Sequence, residues 1–142
     1  MILYLDTSSL VKLYVEEDGS AAVRAEVTAA AVVATSEVAY AEARAALARL
    51  RRERALSAAE LRRARAALDD DWPQFLAVHV TGAICQAAGD LAEKHALRGY
   101  DSLHLASYLA LRAGHAGPVR FSSFDRRLSR AAAHVSRAQR RR

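Results

Sequence analysis

Two kinds of hydrophobic run alternate along the chain. Residues 2–5, 31–35, 75–80 and 119–122 form short, largely unbroken apolar runs with the length of buried strands. The segments between them carry helical spacing. Leu10, Val11, Leu13, Tyr14 and Val15 predict a short helix after Asp6, and Ser20 reads as the cap of a second helix through Val27. Ser36 reads as the cap of a long helix to about Arg54. Ser57 and Glu60 have capping-box spacing and open a helix that Trp72-Pro73 stops. Thr81 opens a helix ending near Leu97, Asp101 starts one that runs to Ala113, and Asp125 heads a short last one. Strands that alternate with helices predict a three-layer α/β/α sandwich around a parallel sheet. No linker or repeat divides residues 1–142, so one domain is expected, with an arginine-rich tail from about residue 136.

Composition narrows the picture. A hydrophobic share of 52% with 26% charged residues describes a folded chain, and 142 residues suffice for a core. The net charge is +5, and all basic residues except Lys12 and Lys94 are arginine. Guanidinium matches phosphate bidentately, so a polyanion partner is favoured over a membrane; a genomic bias toward arginine is the competing explanation. Cys85 is the only cysteine, which rules out an internal disulfide and points to a reducing compartment. Ile84, Ala87 and Ala88 around it predict a small buried side chain. No signal-peptide pattern opens the chain and no apolar run has membrane-spanning length, so a cytoplasmic location is expected.

The candidate chemistry lies in the acids. Asp6 and Asp125 each follow a predicted strand and precede a predicted helix, where ligands collect in open α/β sheets. Either could instead be a helix cap. Asp101 also sits at a predicted helix start, but it follows a loop, so periodicity does not place it on the sheet edge. Glu37 and Glu42 lie on one helix about 140° apart, so they face different ways. Glu37 fits the first turn for dipole reasons. The small neighbours of Glu42 let it approach another element, which favours Glu42 without excluding Glu37. His104, three residues after Asp101, could orient that acid or touch phosphate, or could simply be packed. Asp69, Asp70 and Asp71 read as a solvated helix end.

These residues resemble a known family. The segment Leu5-Asp6-Thr7-Ser8-Ser9-Leu10-Val11-Lys12-Leu13-Tyr14 resembles the opening motif of PIN-domain ribonucleases, especially the VapC toxins of toxin–antitoxin pairs. Ala41 to Leu47, Tyr100 to Ala106 and Ser123 to Leu128 resemble the three later acidic motifs, in family order. The resemblance implies a parallel sheet of four to five strands, with residues 133–136 offering the only candidate for the fifth. It implies that Asp6, Glu42, Asp101 and Asp125 converge on Mg2+ or Mn2+, with Ser8 and Ser123 lining the site. It also implies an RNA substrate, a cognate antitoxin and a homodimer.

Carboxylates suit that chemistry because hard divalent cations take oxygen ligands and neutralise charge on a phosphodiester. Two other functions compete. An aspartate-dependent phosphatase would want a second acid where Ser8 stands and a lysine late in the chain, where none follows Lys94. A non-catalytic RNA- or partner-binding module would need the acids only as caps. Eight arginines between Arg44 and Arg65, and eight more after Val119, could hold RNA phosphates without sequence preference.

Overall fold

The computed structural model describes residues 1–139. In chain order the elements are β1 (Ile2–Leu5), α1 (Thr7–Val11), α2 (Ser20–Ala29), β2 (Val32–Ser36), α3 (Val38–Arg52), α4 (Ala58–Asp71), β3 (Leu76–Val78), α5 (Gly82–His95), α6 (Gly99–Ala113), β4 (Val119–Ser122) and α7 (Arg126–Gln139). A single 3-10 turn, Trp72–Gln74, joins α4 to β3. All strand pairings are parallel, in the order β3-β2-β1-β4.

β1 sits inside the sheet, and all of its residues are buried. Successive side chains alternate between faces. Leu3 and Leu5 enter one core with Leu10, Leu47 and Leu68 from α1, α3 and α4. Ile2 and Tyr4 enter the other with Leu105, Tyr108 and Leu128 from α6 and α7. Asp6 is still extended, with φ −77° and ψ 176°, so it follows Tyr4 toward the α6 side. From β1 the chain builds outward through β2 to β3, then returns to lay β4 on the opposite side of β1. That reversal opens a crevice at the carboxyl ends of β1 and β4.

Several local expectations are corrected. Residues 133–136 form no strand; they continue α7, whose buried Leu128, Ala131 and Ala132 and half-buried Val135 recur at helical spacing. The four described strands therefore make up the sheet. The predicted tail from residue 136 is partly this helix, and Arg140, Arg141 and Arg142 lie outside the described residues. Ser36 ends β2, and Glu37 takes the N-cap position of α3. Helix α6 begins at Gly99, which moves Asp101 from the cap into the first turn. Cys85 is exposed, because α5 leans on α6 with one face and leaves the rest open. The Ser57–Glu60 capping box is present, with both of its hydrogen bonds at 3.0 Å.

Helix α2 is capped by Gly19 rather than Ser20. Gly19 has φ +90°, a left-handed conformation that glycine adopts without strain. The Ser20 hydroxyl instead accepts from the Glu17 amide and donates to the Val15 carbonyl, fixing the approach to the helix. A Cβ on Gly19 would stand 2.5 Å from the Phe124 ring, the residue beside Asp125. Gly19→Ala is therefore expected to lower stability by about 1–2 kcal/mol from the backbone alone. Urea denaturation monitored by circular dichroism measures it.

Candidate active site

The crevice is knitted from hydroxyls and carboxylates. β1 and β4 stay in register through Leu5 and Ser122, and the Asp6 amide donates to the Ser122 carbonyl at 3.1 Å. One Asp6 oxygen, Oδ1, accepts from the Ser9 amide at 2.9 Å and the Ser8 hydroxyl at 2.7 Å. The other, Oδ2, accepts from Ser123 Oγ at 2.6 Å, and Ser123 Oγ accepts from the Asp125 amide at 3.0 Å. Ser8 Oγ also accepts from the Phe124 amide. Asp6 thus caps α1 through Ser9, and Asp125 Oδ1 accepts from the Leu128 amide at 2.8 Å at the start of α7. The alternatives read from the sequence, cap or site, are not exclusive: both acids are caps, and both line the crevice.

Glu42 is held from two sides. Its Oε1 accepts from Thr7 Oγ1 at 2.8 Å and lies 2.8 Å from His104 Nε2. A carboxylate only accepts, so Nε2 carries a proton toward it. In the neutral ring Nδ1 then accepts from the Tyr4 hydroxyl, 3.0 Å away. Burial pushes the Tyr4 phenol well above its ordinary range, so its proton stays in place to be donated. His104 is itself buried. It therefore orients Glu42: of the alternatives read from the sequence, the packed and hydrogen-bonded histidine is the one the structure shows, with Glu42 rather than Asp101 as its acidic partner. Thr7 and Tyr4 escaped sequence reasoning. The hydroxyl run after Asp6 pointed toward Thr7, but nothing in the pattern distinguished Tyr4 from its apolar neighbours.

Asp6, Glu42, Asp101 and Asp125 line one cavity of about 880 Å³, together with Thr7, Ser8 and His104. Arg98 and Tyr100 at the start of α6, and Cys85 and Ala88 of α5, complete its wall. Glu37 is elsewhere: it accepts from the Val80 amide and pairs with His79 at the end of β3. Those contacts hold its carboxyl below the ordinary range, the amide bond more than the imidazole. Asp69 and Asp71 accept from Tyr40 and Tyr14 and tie α4 to its neighbours.

The carboxylates differ in how far the protein satisfies them. Asp6 accepts three hydrogen bonds, two on Oδ1 and one on Oδ2. Among the described residues, Glu42 Oε2, Asp125 Oδ2 and both Asp101 oxygens accept no hydrogen bond from protein. Burial, and then the charges of Asp125 and Asp6, push the Asp101 carboxyl above its ordinary range. Excess negative charge and spare oxygen acceptors fit a hard divalent cation, which prefers oxygen ligands. No three His, Cys, Asp or Glu groups among the described residues form a ready-made cage.

Two outcomes follow. Because folding raises the Asp101 pKa, the ionised carboxyl disfavours the folded state at neutral pH. The penalty fades as pH falls through the raised value toward the ordinary value of about 3.9. Asp101→Asn should therefore raise the melting temperature of metal-free protein at pH 7, and the gain should shrink toward pH 4; paired thermal scans across that range read it. Tyr4→Phe leaves His104 Nδ1 buried without a donor and should cost about 1–3 kcal/mol in urea denaturation.

The PIN domain family profile matches residues 3–134. Ribonuclease VapC45 and Ribonuclease VapC49, from two strains of Mycobacterium tuberculosis, are each 41% identical to this chain over 127 residues. Each alignment covers 89% of this chain and 86% of the relative. With kinship extending over β1 to α7 and through all four carboxylate segments, this chain belongs to the PIN domain family.

Proposed function

We propose that this chain is a divalent-metal-dependent endoribonuclease, that Asp6, Glu42, Asp101 and Asp125 are its metal-binding residues, and that it is the toxin of a toxin–antitoxin pair acting in the cytoplasm. The observation that carries the reading is the meeting of four carboxylates from distant parts of the chain in one cavity, with Asp101 charge-crowded and free of protein donors. The ribonuclease named in both mycobacterial relatives supplies the substrate class. An antitoxin partner and a homodimer, both of which the family resemblance implies, belong to the same proposal.

Mg2+ or Mn2+ held by these residues would lower the pKa of bound water and offset charge on the phosphate oxygens. The protein's own part is placement. Three donors lock the Asp6 carboxylate at the β1–β4 junction. Thr7 and His104 hold Glu42 by one oxygen and leave the other available. Arg98 contributes a guanidinium on the cavity wall, suited to a phosphate oxygen. Tyr4, held in the core by its stack on Phe121, keeps the His104 ring from turning.

Incubation of purified protein with RNA, with Mn2+ or with EDTA, tests the reading. Cleavage that requires Mn2+ and stops with EDTA is expected; no cleavage in Mn2+, or cleavage that survives EDTA, would sink it. Asp101→Asn should lower cleavage by about 100-fold or more, the scale on which one electrostatic group of an active site acts. The same variant keeps its fold, so lost activity and intact melting separate mechanism from stability. Saturating Mn2+ should also raise the melting temperature of the wild-type protein; binding at about 100 times Kd is worth about 2.7 kcal/mol.

A further inference from the structure

A second cavity, of about 700 Å³, lies where the C-terminus of α5 meets α7. Its charged and titratable lining is entirely basic: His95, Arg127, Arg130, His134 and Arg137. On α7, residues 127, 130, 134 and 137 recur at the spacing of one helix face and are all exposed. Another face, with Leu128 and Ala132, is buried in the core. The stripe runs for about 15 Å at 1.5 Å per residue.

Three features separate this stripe from an ordinary solvated face. First, Arg127, Arg130 and Arg137 pair with no carboxylate among the described residues, and Arg127 Nη1 donates to the Ala96 carbonyl. In the basic run between Arg44 and Arg65, Arg49 pairs with Glu53 and Arg65 with Asp69, and the other six arginines are likewise without a carboxylate, so it is the cavity and its buried ring nitrogen that set the α7 stripe apart. Second, His95 Nε2 is buried without a partner, its ring 5.8 Å from that of His134. Three arginines gather positive charge on this wall, and the buried His95 ring nitrogen is left for a ligand to satisfy. Third, the basic cavity adjoins the acidic one. Ala92 and Asp125 line the acidic cavity; Ala96 and Arg127, a few residues further along, line the basic one.

We propose that the α7 stripe, with His95, is a phosphate track that holds the RNA strand on one side of the cleavage position. This rests on the nuclease reading for the identity of the polyanion. Arginines spaced along a helix beside the cavity grip successive phosphates without reading bases, so the track adds affinity and strand direction but no sequence preference.

The test measures binding of a fluorescein-labelled single-stranded oligoribonucleotide by anisotropy across a salt series, in EDTA so that no cleavage occurs. Arg130→Gln/Arg137→Gln is compared with Arg62→Gln/Arg63→Gln, which removes the same charge from exposed positions of α4. Each single-strand phosphate contact contributes about 0.7 to the slope of log K against log salt. The stripe variant should therefore lose about 1.4 from that slope, and the α4 variant should lose none. Equal losses in the two variants, or none in either, would overturn the track. An unchanged slope with a shift in molecular mass by light scattering would also overturn it, assigning the face to a protein contact. Wild-type protein that binds RNA with the expected slope but never cleaves it with Mn2+ would defeat the nuclease reading while leaving the track standing.

Discussion

The hydrogen bonds that hold Asp6 are the constraint on which the rest depends. Carboxylates gathered in one cavity repel, and the crevice stays assembled because Asp6 is bound by an amide and two hydroxyls. Ser123 does double duty, donating to Asp6 while accepting from the Asp125 amide, so one oxygen ties the end of β1 to the start of α7, beside the β1–β4 pairing. Charge-assisted bonds of this kind are roughly twice as strong as neutral ones.

That arrangement divides labour among the carboxylates. Asp6 is the most firmly held, accepting three hydrogen bonds and capping α1. Asp125 and Glu42 are each tied by one oxygen. Asp101 accepts no hydrogen bond from the described residues, and burial, then the charges of Asp125 and Asp6, push its carboxyl above the ordinary range. A fold holding such a group gives up stability in the absence of a cation. The unsatisfied acid is where a ligand gains most.

A second network lies beneath the first. Tyr4 is a sheet residue buried in the same core as Leu105 and Leu128, yet its hydroxyl reaches His104 and, through it, Glu42. The orientation of an acid at the crevice therefore depends on packing at the centre of the sheet. The exposed outer face of α7 answers to a different need: its buried side completes the core, and its arginines stand beside the acidic cavity.

By itself the sequence determined the alternation of strand and helix, and it placed Asp6 and Asp125 where strand gives way to helix. Those features depend on neighbours in the chain, so local pattern carries them. The capping box at Ser57 was legible for the same reason. Residues 133–136 stayed open between strand and helix because a short run with one β-branched residue suits either state, and burial against the core selected the helix. Glu42 and Asp101 were beyond local pattern, since the direction a helical side chain faces depends on what packs beside the helix; only family likeness grouped them with Asp6. The tertiary structure decided that β4 returns to the far side of β1, that α6 lies over Tyr4, and that His104 serves Glu42. Each of these joins residues separated by tens of positions, and no spacing along the chain encodes a contact that only packing creates.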